Sequence, residues 1–340
     1  MIVALVSRMI TDARVLDPEF LPNDVVQRDA EINLLSSVLR PAVEGNPSDS
    51  AVLHGPSGTG KTCIAQYTLD KLHQSTLELN TQYVNCWEDH SHFSVLYRIL
   101  DGLDKTLDIH RQSTPQEVLL DRLHDYDGPP YIIILDEADQ LDTTDVLYEL
   151  VRTRKLSMIL IANDPDVMYT RFDDRLDSRL RTATRIEFDA YSIDALTAIL
   201  QDRARWGLHP DAVTTEQLQW IADAAVGDAR VAIGTLRQAA QRADRESETI
   251  LDEHLEAAVP EAKAEIKQKN ISRLTRDQRI LYNIITDTDS ISMGDLYDQY
   301  TAEVANPKTK RMVRNYLQKL SHYNLIESIG EHRGRRYRPI

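Results

Sequence analysis

Gly55-Pro56-Ser57-Gly58-Thr59-Gly60-Lys61-Thr62 fits the spacing G-x-x-x-x-G-K-[ST] without a mismatch. Apolar Ala51-Val52-Leu53 precedes it, and a helix-compatible segment from Cys63 to Leu72 follows. Strand, glycine loop and helix in that order make a phosphate-cradling loop. The glycines let backbone N–H groups turn inward on phosphates, where the next helix adds its positive end. Lys61 is placed to reach β- and γ-phosphate oxygens, and the Thr62 hydroxyl to sit on Mg²⁺. Cys63 and Ile64 open the helix and complete the expected contact set. The chain is predicted to bind a nucleoside triphosphate.

The companion pieces follow in order. Tyr131-Ile132-Ile133-Ile134-Leu135 is an unbroken apolar run after the turn signal Gly128-Pro129-Pro130, as expected of a strand buried on both faces. It ends in Asp136-Glu137. Asp136 is assigned to Mg²⁺, through water, and Glu137 to orienting and deprotonating the attacking water. A third run, Met158-Ile159-Leu160-Ile161-Ala162, ends in Asn163, whose amide can hydrogen-bond the γ-phosphate or that water. Asp136-Glu137-Ala138-Asp139 also spells an RNA-helicase motif. That family needs a second motor domain of similar size, for which this chain has no room.

The 340 residues suggest two to three domains, and 42% hydrophobic residues suffice for a sizeable core. No stretch approaches the roughly 18 apolar residues of a membrane span. Met1-Ile2-Val3-Ala4-Leu5-Val6 is apolar but short, without a basic leader, so no signal peptide is expected. Cys63 and Cys86 are the two cysteines, which fits a reducing cytoplasm rather than a disulfide framework. Cys86, His90 and His92 lack a fourth ligand for zinc.

The net charge is −15, with Asp over Glu and Arg over Lys. Such a surface suits a salty cytoplasm, where hydrated carboxylates maintain solubility. From Ala262 to Ile340, however, 15 Lys and Arg face 9 Asp and Glu, a net of +6, which leaves −21 on the residues before it. A basic end on an acidic body points to a polyanion as partner.

Strands alternating with helical patterns from Ala51 to Phe188 describe an α/β fold with a doubly wound parallel sheet. Residues 1–190 read as this nucleotide-binding core and 191–260 as a helical domain. Residues 261–274 read as a partly helical linker after Pro260, and 275–340 as an αααββ module. In that module the helix after Asn306-Pro307 buries Met312, Val313, Tyr316, Leu317 and Leu320. Two short strands, Leu325–Ile329 and Arg335–Arg338, are joined by Glu331-His332-Arg333-Gly334. This is a winged-helix plan, with its third helix placed for the major groove. Lys308, Lys310, Arg311 and Arg314, with Lys319, lie on or beside that helix. Arg333, Arg335, Arg336 and Arg338 load the hairpin. The basic residues coincide with the two elements that would touch double-stranded DNA.

These motifs resemble the archaeal replication initiators of the Orc/Cdc type, AAA+ relatives of the eukaryotic origin recognition complex. The resemblance spans nearly the whole chain. Phe20-Leu21-Pro22 through Arg28-Asp29-Ala30-Glu31-Ile32 is similar to the family's adenine-side box. Gly227-Asp228-Ala229-Arg230 resembles the sensor whose arginine touches the γ-phosphate from the lid. Phe188-Asp189-Ala190-Tyr191 and Gln201-Asp202-Arg203-Ala204 resemble the lid boundary, where Tyr191 and Arg203 flank the nucleotide. Arg175-Leu176-Asp177-Ser178-Arg179-Leu180 resembles the finger box, with Arg175 and Arg179 competing and Arg179 favoured. By resemblance, residues 89–113 hold an initiator-specific helical insertion that contacts DNA in the family. Here Arg98, Lys105 and Arg111 are matched by Asp89, Asp101, Asp104 and Asp108, which argues against that role.

The resemblance implies a P-loop AAA+ core with a helical lid and a winged helix, using ATP and Mg²⁺ as a slow switch. It implies binding to double-stranded origin DNA, loading of the replicative helicase, and self-association if the finger acts in trans. The location expected is the cytoplasm, on the nucleoid. The rival readings are a remodelling or transposition-helper ATPase, and an ATP-dependent transcriptional regulator.

Overall fold

The computed structural model describes residues 9–76, 78–111, 113–163, 168–246, 249–330 and 335–340. The chain divides into two compact units, Met1–Val259 and Pro260–Ile340. The first unit begins with α1 (Asp29–Val43), β1 (Ala51–His54), α2 (Lys61–Ser75), β2 (Asn80–Asn85), α3 (His92–Asp101) and α4 (Gln116–His124). It continues through β3 (Tyr131–Asp136), a 3-10 turn (Ala138–Gln140), α5 (Asp145–Arg152), β4 (Leu156–Ala162), α6 (Asp174–Leu180) and β5 (Thr184–Glu187). The five strands are parallel, in the order β2-β3-β4-β1-β5.

Strands β3 and β4 are buried at every residue, because helices cover both sheet faces. Successive side chains divide between the faces. Ile132 and Ile134 pack with Leu35 and Leu39 of α1 and Ile64 of α2. Ile133 and Leu135 pack with Val95 and Ile99 of α3, Leu119 of α4 and Leu147 of α5. Helix α3 lies within the segment expected to hold an insertion, and its buried Val95, Leu96, Ile99 and Leu100 make it part of the sheet's cover.

Strand β2 was not named from sequence, and the reason is its place at the sheet edge. It pairs with β3 alone, so most of Asn80–Asn85 stays half-buried and needs no apolar run. Strand β5 ends at Glu187, one residue before Phe188, where the strand–helix alternation was expected to end.

Helices α7 (Ile193–Gly207), α8 (Thr215–Ala224), α9 (Ala229–Glu246) and α10 (Asp252–Ser272) follow. Ser192 caps α7, and Thr214 with Gln217 forms a capping box on α8. Their apolar faces close on one another through Leu196, Leu200, Ile221, Leu236 and Leu255. Met9 and Leu16 of the opening segment join this helical cluster rather than the sheet. Helix α10 does not break at Pro260: it runs through that proline and covers most of the stretch read as a partly helical linker. An internal proline costs a helix roughly 3 kcal/mol. Leu255, Ala258 and Ala262 are buried on either side of it, so packing offsets that penalty.

The second unit holds α11 (Arg276–Thr286), β6 (Ile291–Ser292), α12 (Met293–Glu303), α13 (Lys310–His322), β7 (Ile326–Ile329) and β8 (Arg336–Pro339). The short β6 was not foreseen; it pairs with β8, giving an antiparallel sheet in the order β6-β8-β7. Leu281, Ile285, Leu296, Val313, Leu317, Leu320 and Tyr337 form its buried core. Met312 and Tyr316 are half-buried. The Tyr300 hydroxyl donates to Asp277 at 2.6 Å and accepts from the Lys308 N–H at 3.1 Å, tying the approach to α13 back to α11. Among the described residues no helix is long and apolar enough to cross a membrane.

Candidate functional site

Parallel strands deliver their carboxyl ends to one edge of the sheet. Strand β4 lies between β1 and β3, so the loops leaving all three meet there. The P-loop follows β1, Asp136 closes β3, and Asn163 follows β4.

The P-loop turns sharply at Gly55, with φ of +138°, where an added Cβ would stand 2.1 Å from the Phe188 carbonyl oxygen. That neighbour is backbone, so no larger residue fits without moving β5. Gly60, with φ of +92°, precedes α2 without side-chain capping, which leaves the helix's leading N–H groups to the loop concavity. Lys61 is 6% exposed, and all three of its protons are used. Its Nζ donates to the carbonyls of Gly55 and Pro56, both at 2.7 Å, and to Asn163 Oδ1 at 2.8 Å. Burial lowers the Lys61 pKa to about 8, against the pull of Asp136.

Asp136 is equally buried and collects three donors. Its Oδ2 accepts from the Thr62 hydroxyl at 2.8 Å and from the Tyr83 hydroxyl at 2.9 Å. Its Oδ1 accepts from the Glu137 N–H at 2.9 Å. Burial still raises its pKa above the ordinary carboxylate value. Both shifts oppose charge. An anion beside Lys61 and a cation beside Asp136 would each restore the ordinary value. The Thr62 and Asp136 oxygens are the hard donors that Mg²⁺ takes. Glu137 stands half-buried just beyond the strand in the left-handed region, with φ of +56°. That conformation costs a non-glycine residue on the order of 1 kcal/mol and turns the chain out of β3.

The helical domain closes on the same loop. Arg230 donates to the Ser57 hydroxyl at 2.8 Å and pairs with Asp228 at 3.1 Å. The Ala229 N–H donates to the Gly58 carbonyl at 3.0 Å, and the Asp228 carboxylate lies against Gly58. The Tyr191 hydroxyl lies beside Gly60, with the Arg28 guanidinium 4.2 Å from its ring centre. Arg28 also pairs with Glu31 at 2.7 Å and donates to the Asp189 carbonyl. Arg203 is 6% exposed, and burial lowers its pKa. It donates to the carbonyls of Val15 at 3.0 Å and Phe20 at 3.1 Å. The two peptide N–H groups of Thr11 and Asp12 reach the Gly207 carbonyl, so α7 carries the opening segment.

Elsewhere the candidates are at the surface. Arg175 and Arg179 are both exposed on α6, and Arg179 lies 5.5 Å from the Tyr148 ring centre. Lys308, Lys310, Arg311 and Arg314 are exposed in and before α13, and Arg335 and Arg336 on the hairpin. Arg336 donates to the Ser290 hydroxyl at 2.7 Å and its carbonyl at 2.6 Å. Lys319 is buried and leaves that set. Arg333 lies outside the described residues. His90 pairs with Asp142 at 2.9 Å, and His92 with Gln116 at 3.1 Å.

Residues 46–166 match the AAA domain family, and residues 197–260 match the Cdc6 AAA+ ATPase-type lid domain. ORC1-type DNA replication protein 1 of Halobacterium salinarum is 54% identical over 308 residues, covering 90% of this chain and all of that relative. ORC1-type DNA replication protein 9 of the same organism is 48% identical over 97% of this chain and 93% of its own length. The chain belongs to the ORC1-type DNA replication proteins. The structure of the Aeropyrum pernix ORC1 protein in complex with DNA superposes with a TM-score of 0.77 at 26% identity, covering 98% of this chain and 94% of that one. The helical domain of this ORC1-type chain is thus a Cdc6-type lid on an AAA+ core. Both of these relatives are haloarchaeal.

Sequence reasoning missed Tyr83. The alternation Thr81-x-Tyr83-x-Asn85 was the available signal, since it puts these three side chains on one strand face. Thr81 meets His73 of α2 at 2.8 Å on that face.

Arg203→Leu should unfasten the opening segment from α7 by leaving the buried Val15 carbonyl unpaired, at about 1–3 kcal/mol, and the part-buried Phe20 carbonyl to water. Limited proteolysis with mass spectrometry should then show new cleavage between residues 13 and 22. An unchanged digestion pattern would remove the clamp assigned to Arg203.

Proposed function

We propose that this ORC1-type protein is an ATP-switched DNA-binding initiator of replication, which recognises origin sequences and recruits or loads the replicative helicase. One observation carries the reading: Arg230 of the lid reaches Ser57 of the P-loop at 2.8 Å. A nucleotide seated in that loop contacts both bodies, so its γ-phosphate can decide where the lid rests.

The chemistry divides among named groups. Gly55 to Thr62 cradle the phosphates, and Lys61 exchanges its loop carbonyls for phosphate oxygens. Thr62 and Asp136 hold Mg²⁺, which when bound neutralises phosphate charge. Glu137 takes the proton of the attacking water, with Asn163 orienting the water or the γ-phosphate. Tyr191 flanks the nucleotide, with the backbone of Cys63 and Ile64 where α2 leaves the P-loop. Arg203 acts through the opening segment that it fastens. Arg179 is the finger presented to a neighbouring copy on DNA, which keeps hydrolysis slow in an isolated chain.

The second unit is read as a winged helix that grips double-stranded DNA. Its support is the exposed row Lys308, Lys310, Arg311 and Arg314 at the start of α13, with Arg335 and Arg336 on the hairpin. Arg336, braced on Ser290, presents a fixed rather than a swinging charge. The Aeropyrum relative solved with DNA supports the same assignment. Mapping of bound DNA across the genome at native ionic strength tests the whole reading. Enrichment at replication origins is expected, and enrichment confined to promoters would favour the regulator.

Lys61→Ala should abolish nucleotide binding. Glu137→Gln should bind ATP but cleave it on the order of 10²–10⁴-fold more slowly, as loss of a general base predicts. Equilibrium binding and phosphate release measure the two, and normal turnover in Glu137→Gln would overturn the base. The double change Arg311→Ala and Arg314→Ala should weaken binding to all duplexes alike. It should also lower the slope of log affinity against log salt by about 2, one for each phosphate contact. An unaltered slope would place DNA elsewhere.

A further inference from the structure

We propose that Tyr83 is a positioning residue for the Mg²⁺ site, its phenol fixing the Asp136 carboxylate in the orientation that receives the cation. This rests on the nucleotide reading above. Tyr83 sits on β2 opposite Ile134 of β3, and Asp136 is two residues further along the same face. Strands about 4.8 Å apart and a rise of about 3.3 Å per residue put such a diagonal neighbour roughly 8 Å away between backbones, within reach of an aromatic side chain. The phenol spans the gap and places its hydroxyl 2.9 Å from Asp136 Oδ2.

The other two donors to Asp136 come from elsewhere. Thr62 reaches Oδ2 from α2, and the Glu137 N–H reaches Oδ1 from the chain leaving β3. Thr62 must also turn an oxygen lone pair to the metal, so its geometry is shared between two tasks. Tyr83 has no such second demand from the cation. Its hydroxyl fixes the carboxylate plane from the neighbouring strand whether or not Thr62 is ligated. Mg²⁺ requires near-ideal octahedral geometry, so a carboxylate free to rotate serves it poorly.

Packing does not explain the residue as well. Tyr83 is 38% exposed at the sheet edge, and removing its hydroxyl opens no core cavity. Nor is it needed to seat β2, since the ladder from Asn80↔Tyr131 to Asn85↔Asp136 already pairs the whole strand. What the phenol adds is a hydrogen bond to the one buried carboxylate at the end of β3.

The test is Tyr83→Phe in the full chain, with a fluorescent ADP as probe. Its affinity is measured in EDTA and then across a Mg²⁺ titration. The Mg²⁺ concentration giving half-maximal tightening should rise about 10–100-fold, the usual effect of losing a partner that orients a metal ligand. Affinity in EDTA should stay at the wild-type value, which also shows that the variant is folded. A Mg²⁺ dependence identical to wild type would overturn the proposal. So would an equal loss with and without Mg²⁺, which marks a purely structural tyrosine. Wild-type protein that binds the probe identically in EDTA and Mg²⁺ would remove the metal site itself. Wild-type protein that binds no probe would end the nucleotide reading, a result separable from failure of Tyr83 alone.

Discussion

Two opposite charges buried at one edge of a covered sheet constrain everything around them. Lys61 and Asp136 are each 6% exposed, and taking an ion out of water costs several kcal/mol even after relaxation. The fold tolerates this only because every proton of Lys61 finds an acceptor and both oxygens of Asp136 find donors. Those partners come from the P-loop, β2, the end of β3 and the residue after β4. The strand order β2-β3-β4-β1 is therefore a requirement of the site as much as of the core. Any strand shifted by one residue would turn its contributed group to the opposite face.

The same loop is where the lid acquires a position. Arg230 and Ala229 contact Ser57 and Gly58, while Tyr191 lies against Gly60. The loop is therefore read from both sides, by sheet and lid. The opening segment adds a second linkage, since Arg203 and Gly207 of α7 hold residues 11–20, whereas α1 packs on the sheet through Leu35 and Leu39. A lid movement must be absorbed between Phe20 and Arg28. Arg28, stacked on Tyr191 and bonded to Asp189 at the start of the lid, stands at the hinge where that strain would fall.

How much of this was legible follows from what each residue is buried against. Strands β3 and β4 could be read directly, because two covered faces demand an unbroken apolar run. Lys61 was legible from the spacing of the glycine loop, and Asp136 and Asn163 from their places at the ends of those two strands, which the structure brings to one sheet edge. Strand β2 was hidden by its edge position, and with it Tyr83: the alternation Thr81-x-Tyr83-x-Asn85 gives its face, but the diagonal contact with Asp136 depends on the register against β3. Pro260 misled for the opposite reason: a strong local stop signal was overridden by buried neighbours on both sides. Lys319 looked like part of a basic face, yet helix periodicity sets it beside Leu320 on the inner side. Composition alone separated the acidic front from the basic end, since charge balance needs no fold to be counted.

That separation of charge bears on how the two units could work together in strong salt. At about 1 M salt the Debye length is near 3 Å, so exposed charges act only at contact. The attraction proposed between Arg311, Arg314 and a duplex would be cut accordingly, and long-range steering largely lost. Lys61 and Asp136, shielded from the solvent, keep their fields. In such a medium the nucleotide site is thus the better-preserved electrostatic device of the two. On the proposed reading, an initiator built this way would convert a strong buried interaction at the P-loop into geometry, and DNA recognition would depend on shape and base-edge fit more than on net charge.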